Sequence, residues 1–184
     1  MQINLITSNL GKVKEFKTYL EPDIGVNHTE HEYRELRSDD PEEIAKEAAK
    51  RLAEELKKTV VVEDSGIFIK ALKDFPGTCS KYFHVRVGLK GILKLMENID
   101  DREATYKSAV AYCEPGKEPI SFLGEEAGQV SKEIKGSHGF GHDPIFIPEG
   151  SQKTYGETEN CENLKKFRKN AVEKLKKFLL EEKQ

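Results

Sequence analysis

Apolar positions along the chain fall into two periods, one of about three to four residues and one of two, and the elements can be read from where each begins and stops. Gln2 to Ile6 predicts a short strand, after which Val13, Phe16 and Leu20 share one helical face. Residues 21 to 38 are polar and mixed, with Glu30, Glu32 and Glu35 beside Arg34 and Arg37, and read as solvated surface. Asp40-Pro41-Glu42-Glu43 supplies a cap, a first-turn proline and an acid, which predicts a helix to about Lys57. Its Ile44, Ala45, Ala48 and Leu52 face inward and Lys50 lies at the edge of that stripe. Val60-Val61-Val62 predicts a buried strand that ends in an acidic tip, Glu63-Asp64-Ser65-Gly66.

Beyond the tip, Ile67-Phe68-Ile69 reads as a second short strand, Phe75-Pro76-Gly77-Thr78 as a turn, and Leu89 to Asn98 as a helix. Thr105 to Cys113 and Ile120 to Leu123 read as antiparallel neighbours joined through Glu114-Pro115-Gly116, with Val130 starting another strand. A last helix spans Cys161 to about Leu180, with Leu164, Phe167, Ala171, Leu175 and Phe178 on its core face. The pattern is α/β, one domain over residues 1–184, with a strand-rich middle from about 100 to 135 and a lobe boundary near residue 100.

Composition changes this picture little. A net charge of -3 excludes nucleic-acid binding that rests on bulk charge. Cys79, Cys113 and Cys161 are odd in number and form no CxxC, which points to a reducing compartment. The first residues have neither a basic flank nor a long apolar run, so the reading is a soluble cytoplasmic protein without a membrane partner.

Three stretches carry candidate chemistry. An acidic pair beyond the carboxyl end of a strand can hold a divalent cation or steer a water, and an ordinary Asp-Ser-Gly turn explains the same residues. Thr7-Ser8-Asn9-Leu10-Gly11-Lys12 offers caps, free first-turn N–H groups and a cation, which suits a phosphate. It is neither a GxxxxGK[ST] loop nor a GxGxxG turn, and a capped amphipathic helix with a surface lysine would look the same. In Gly139-Phe140-Gly141-His142-Asp143-Pro144-Ile145-Phe146, Phe140 offers a stacking face and Asp143 an acceptor for a base edge. A glycine-rich turn with Phe140 in the core is the alternative. His138 and His142 are four apart, but the glycines between them and the following Asp-Pro argue against a helical zinc pair.

Thr7 to Lys12, Glu63-Asp64-Ser65-Gly66, Phe75-Pro76-Gly77, Gly139 to Phe146 and Thr154-Tyr155-Gly156-Glu157 resemble, in order and spacing, the successive signatures of the inosine triphosphate pyrophosphatase family, also called Ham1-like. The resemblance implies an elongated mixed-sheet α/β fold of two lobes around a central substrate cleft, usually as a homodimer. It also implies Mg2+-dependent hydrolysis of purine nucleoside triphosphates (ITP, dITP, XTP) to monophosphate and pyrophosphate, a hydrolase activity that cleanses the nucleotide pool. Carried over position by position, Thr7, Ser8, Asn9, Leu10, Gly11 and Lys12 would form the triphosphate loop, and Lys50 would be a second phosphate-binding lysine. Glu35 and Asp64 would hold the metal, and Asp64 would also accept a proton; the chemistry of a hard cation at this acidic cluster adds Glu63 as a further candidate ligand. Ser65 would touch the substrate, Phe140, Gly141, His142 and Asp143 would hold the base, and Phe167 and Arg168 would contact substrate from the last helix.

The chain departs from the family where the base is usually read. Arg168 matches the arginine of a Ser-His-Arg triplet, but Phe167 stands for the histidine and Lys166 for the serine. Glu162 occupies the place of the usual lysine, for which Lys165 or Lys166 could substitute after a local shift. His142 stands where the family mostly has Tyr or Trp. Pyrophosphohydrolysis is therefore the expectation without a fixed base preference. A related enzyme with another base preference and a nucleotide-binding module without catalysis remain as alternatives.

Overall fold

The computed structural model describes residues 1–181. The elements are β1 (Gln2–Ile6), α1 (Leu10–Leu20), β2 (Gly25–Thr29), α2 (Pro41–Leu56), β3 (Val60–Ile69), β4 (Pro76–Gly77), α3 (Ser80–Leu95), β5 (Glu103–Cys113), β6 (Ile120–Val130), β7 (Phe146–Pro148) and α4 (Lys166–Glu181), with short 3-10 turns between some of them. The strands form one mixed sheet in the order β2-β1-β3-β5-β6-β7, with β4 paired to β3. β1 lies parallel to β2 and β3, while β4 and β7 pair antiparallel with their neighbours.

The chain divides into two compact units and passes between them four times. Unit 1 comprises Met1–Asp64, Ser108–Gly124 and the segment from Lys166 onward; unit 2 comprises Ser65–Lys107 and Glu125–Lys165. The chain crosses from unit 2 back to unit 1 between Lys107 and Ser108, a few residues after the change in strand density near residue 100.

Unit 1 is built by the two-residue alternation of its strands. Leu5, Val61 and Val110 point to one face, against Val13, Phe16 and Leu20 of α1 and Ala171, Val172 and Leu175 of α4. Ile6, Val60, Val62, Ala109 and Ala111 point to the other, against Ala45, Ala48, Ala49, Leu52 and Ala53 of α2. Burying each large aliphatic side chain contributes about 2 kcal/mol. In unit 2 the ring of Phe146 lies 4.5 Å from that of Tyr106 and 5.9 Å from that of Tyr155. The Tyr155 hydroxyl donates to Glu126 at 2.6 Å, which satisfies the polar end of that stack. Gly66 lets β3 approach β4, because a Cβ there would sit 2.0 Å from the Gly77 carbonyl oxygen. Ser80 fixes this contact by accepting from the Ile67 amide at 2.9 Å and donating to the Gly77 carbonyl at 2.6 Å.

Several predicted boundaries move. β3 is one strand of ten residues, so the acidic pair lies mid-strand and not at a strand tip. β2 arises within the polar stretch, because an edge strand needs few apolar positions; only Val26 is buried in it. α3 begins at Ser80, and non-helical Gly88 (φ 66°) interrupts it, which breaks the periodicity that would have revealed its first half. Val130 ends β6 and starts no further strand. α4 begins at Lys166, and Leu164 is 52% exposed, outside the core.

Candidate active site

Glu63 is the centre of a buried charge cluster in unit 1. The hydrophobic run that buries β3 carries this carboxylate inward with it, and its Oε1 accepts from Ser108 Oγ at 2.6 Å and from Arg168 Nε at 3.0 Å. Its Oε2 lies 2.6 Å from Lys12 Nζ. The Arg168 guanidinium also pairs through Nη1 with Glu15, so two acids flank one arginine and all three are buried. Burial opposes the charge on Glu63, but the attraction of Arg168 and Lys12 and the Ser108 hydrogen bond prevail and hold its pKa at about 2. Arg168 is held further above its ordinary value by Glu15 and Glu63, against the opposing effect of burial.

Lys12 reaches this cluster from the first turn of α1. Asn9 caps that helix, accepting from the Gly11 and Lys12 amides at 2.9 and 3.3 Å, while Thr7 Oγ1 accepts from the Asn9 amide at 3.1 Å. The turn is therefore self-braced, with Ser8 and Leu10 exposed and Gly11 half-buried. Lys12 Nζ donates to the Glu63 backbone carbonyl at 3.0 Å as well as meeting its carboxylate, which spends two of three ammonium donors. In this arrangement both oxygens of Glu63, expected as a metal ligand, serve cations and a hydroxyl.

Two further acids carry the remaining metal expectation. Asp64 is half-buried and Glu35 exposed. Burial raises the Tyr33 phenol above its ordinary range, and the negative charges of Glu35, Asp64 and Glu63 raise it further. Among the described residues no set of three or more His, Cys, Asp or Glu side chains stands ready to enclose a metal. Two carboxylates with water and phosphate oxygens completing the shell is the way Mg2+ is usually held, and Glu35 with Asp64 fits that donor set. Lys50 is not gathered into the cluster: its amine pairs with Glu118 at 2.6 Å, with the two side chains 52% and 83% exposed.

Unit 2 builds a second constellation around Asp143. Its Oδ2 accepts from the Phe140 amide at 2.6 Å and from Lys165 Nζ at 2.8 Å. Lys165 Nζ lies 4.1 Å from the centre of the Phe140 ring, so one lysine joins the acid and the aromatic. Gly139 (φ 74°) closes the turn, since a Cβ there would lie 2.1 Å from Asp143 Oδ2. Gly141 also has positive φ, at 63°. His142 is buried, with its ring 5.2 Å from that of His84, and burial together with His84 pushes its pKa down to about 3. Ser65 is half-buried in β3. Phe167 is 2% exposed, a core residue of unit 1 at the start of α4.

Sequence reading missed Glu15, Ser108, Tyr33 and His84. Glu15 carried a usable signal, a charged residue one step from the apolar stripe of α1. The others have none, because their partners are remote in the chain. A cavity of about 650 Å3 in unit 2, beside Lys70, Glu103, Gln129 and Ser151, contains none of the predicted residues.

Comparison with known proteins identifies the family. The model of the Ham1 family matches residues 3–178. A dITP/XTP pyrophosphatase of Methanopyrus kandleri is 47% identical over 85% of this chain and 84% of its own length. Another, of Methanothermobacter marburgensis, is 40% identical over 98% of this chain and 97% of its own. Among solved structures, the Ham1 protein of Staphylococcus aureus aligns with TM-score 0.84 at 28% identity, over 99% of this chain and 100% of that one. A HAM1 protein from Coxiella burnetii aligns with TM-score 0.86 at 26% identity, over 98% and 99%. With these matches running nearly end to end over the same α/β architecture, the chain belongs to the Ham1 family.

Proposed function

We propose that the protein is a Mg2+-dependent nucleoside triphosphate pyrophosphohydrolase that cleaves purine nucleotides of the ITP, dITP and XTP class to monophosphate and pyrophosphate. The observation that carries this reading is the Lys12–Glu63 pair beside Asp64: a cation locked in place by a buried acid, with one donor unspent, next to a half-buried carboxylate. Support comes from the relatives named dITP/XTP pyrophosphatase.

Breaking the bond between the α and β phosphates demands shielding of a polyanion and an in-line water. In unit 1, Lys12 meets phosphate oxygens with its remaining N–H while Glu63 and Arg168 prevent it from swinging away. Ser8 and the positive end of α1 add to the same potential. Lys50, in a weak exposed pair, exchanges Glu118 for phosphate. Asp64 orients the attacking water and takes its proton. Glu35 and Asp64 would hold Mg2+, which supplies charge neutralisation along the phosphates and lowers the pKa of bound water.

In unit 2, a purine stacks on Phe140 and is read by the Asp143–Lys165 pair, with Lys165 serving where sequence alignment had left Glu162. Phe167, buried as it is, reads nothing directly, so a second reading, the same bond cleavage with a broader base preference, rests on that residue. The exposed apolar side chains of Tyr82, Val85 and Val87 on α3 support a homodimer. Cys79, Cys113 and Cys161, far apart in the chain and forming no CxxC, support a reducing, cytoplasmic setting, and no helix among the described residues is long and apolar enough to cross a membrane.

The test is a panel of dITP, ITP, XTP and the four standard NTPs with Mg2+, measuring pyrophosphate and orthophosphate separately. Pyrophosphate from the first three in preference to the rest supports the proposal. Orthophosphate as primary product refutes the bond of attack, and a flat profile selects the second reading.

A further inference from the structure

The loop that follows β1 is held from the edge strand β2 as well as by its own caps. β2 runs parallel to β1, with Leu5 opposite His28 and Ile6 opposite Thr29. Val26 packs among the apolar residues of α1 and α4, and His28, two positions on, shares that face of the strand. The His28 ring is half-buried, and its Nε2 lies 2.7 Å from the Thr7 carbonyl oxygen. A carbonyl only accepts, so Nε2 carries the hydrogen and donates it.

Consecutive peptide units in this turn are held by different partners. The Thr7 amide donates to the Thr29 carbonyl at 3.2 Å, and the Asn9 amide donates to Thr7 Oγ1 at 3.1 Å. The unit between them, which joins the Thr7 carbonyl to the Ser8 amide, meets only His28 among the described residues. That peptide is planar and trans, so its C=O and N–H point in opposite directions. Fixing the carbonyl toward β2 therefore turns the N–H of Ser8, an exposed residue, away from that strand. Rotation about Thr7 ψ and Ser8 φ reverses this pair without disturbing either neighbouring hydrogen bond, and His28 is what opposes it.

We infer that His28 is a positioning residue: by holding the Thr7 carbonyl it aims the Ser8 N–H at phosphate oxygens of the substrate's triphosphate tail. The inference rests on the reading of Thr7 to Lys12 as the triphosphate loop and adds to it a side chain of β2 that acts through the loop. Backbone N–H groups serve an anion best when their direction is set before it arrives. A contact made alike to bound substrate and to the transition state lowers KM and leaves kcat alone. A ring that served packing only would, on removal, lower the melting temperature and keep both constants.

The test takes the full chain as wild type, His28→Phe and His28→Gln, each checked by circular dichroism and thermal melting. With Mg2+ present, it measures kcat and KM for dITP and, by calorimetry, equilibrium binding of inorganic tripolyphosphate, which has no base and needs no cleavage. His28→Phe keeps a ring without the donor, so KM should rise about tenfold with kcat within about twofold, and tripolyphosphate should bind about tenfold more weakly. His28→Gln keeps an N–H of comparable reach and should restore both to within about threefold of wild type. Should His28→Phe fail to fold, His28→Leu carries the decision with the same expectation. Wild-type KM and tripolyphosphate affinity in His28→Phe, no restoration in folded His28→Gln, or no tripolyphosphate binding by wild type overturns the inference. Tripolyphosphate bound in the expected pattern by a chain that never cleaves dITP upholds the role of His28 and refutes the hydrolytic reading. Cleavage by wild type with an unaltered KM in His28→Phe does the reverse.

Discussion

Arg168 donates from Nε to Oε1 of Glu63 across 3.0 Å, and both side chains are nearly sealed from solvent. An arginine at the head of the last helix thereby supports a strand carboxylate. Lys12 takes the other oxygen of Glu63, so the position of its ammonium depends on a buried acid.

Glu63→Gln tests that dependence. Gln keeps the size and the Ser108 contact but leaves two cations short of a counter-charge, which should cost about 3–5 kcal/mol of stability. Urea unfolding at pH 7 measures it. A loss under about 1 kcal/mol would show that the cluster is not the anchor described here.

Acid should remove the same contribution. The folded-state pKa of Glu63, about 2, lies below the ordinary 4.5. Its stabilisation is therefore complete above about pH 4.5 and is lost as pH falls toward 2, amounting to about 3 kcal/mol. The gap in urea midpoint between wild type and Glu63→Gln should shrink through that window. A gap that stays constant from pH 7 to 3 contradicts the assignment.

These relationships also show where sequence reading stops. The apolar alternation located β1, α1, α2 and β5 because each buries one face. Glu63 shows the limit: successive strand residues point to opposite faces, so adjacent acids in β3 need not share a role. The residue that decides its role, Arg168, is 105 positions away, and no local pattern marks such a pair. Lys165 is similar, a buried lysine that composition would place on the surface until Asp143 is seen beside it. β2 and the first half of α3 escaped because neither carries a clean apolar stripe.

Lys165→Met should separate base reading from bond cleavage. Removing the ammonium leaves Asp143 buried with one partner fewer and takes a cation from the Phe140 face, so kcat/KM for dITP should fall by roughly 10–100-fold. Discrimination against the standard purine triphosphates should fall with it. An unchanged ratio between dITP and GTP would mean that the pair only holds the turn together.

Lys50→Ala and Lys12→Ala should differ in kind. Lys50 is exposed, so its loss should leave the melting temperature unchanged while lowering kcat/KM. Lys12→Ala should lower both, because Glu63 then lacks a buried counter-ion. Thermal melts alongside steady-state kinetics check this, and a Lys50 variant with wild-type kinetics would reduce that residue to surface charge.

The most direct measurement of the central claim is single-turnover cleavage of dITP with saturating Mg2+ by wild type and Asp64→Asn, with products resolved as monophosphate, diphosphate, pyrophosphate and orthophosphate. The account predicts equimolar dIMP and pyrophosphate from wild type, and from Asp64→Asn a rate lower by about 100-fold or more with substrate still bound. Diphosphate with orthophosphate, or an Asp64→Asn variant that turns over like wild type, would contradict it.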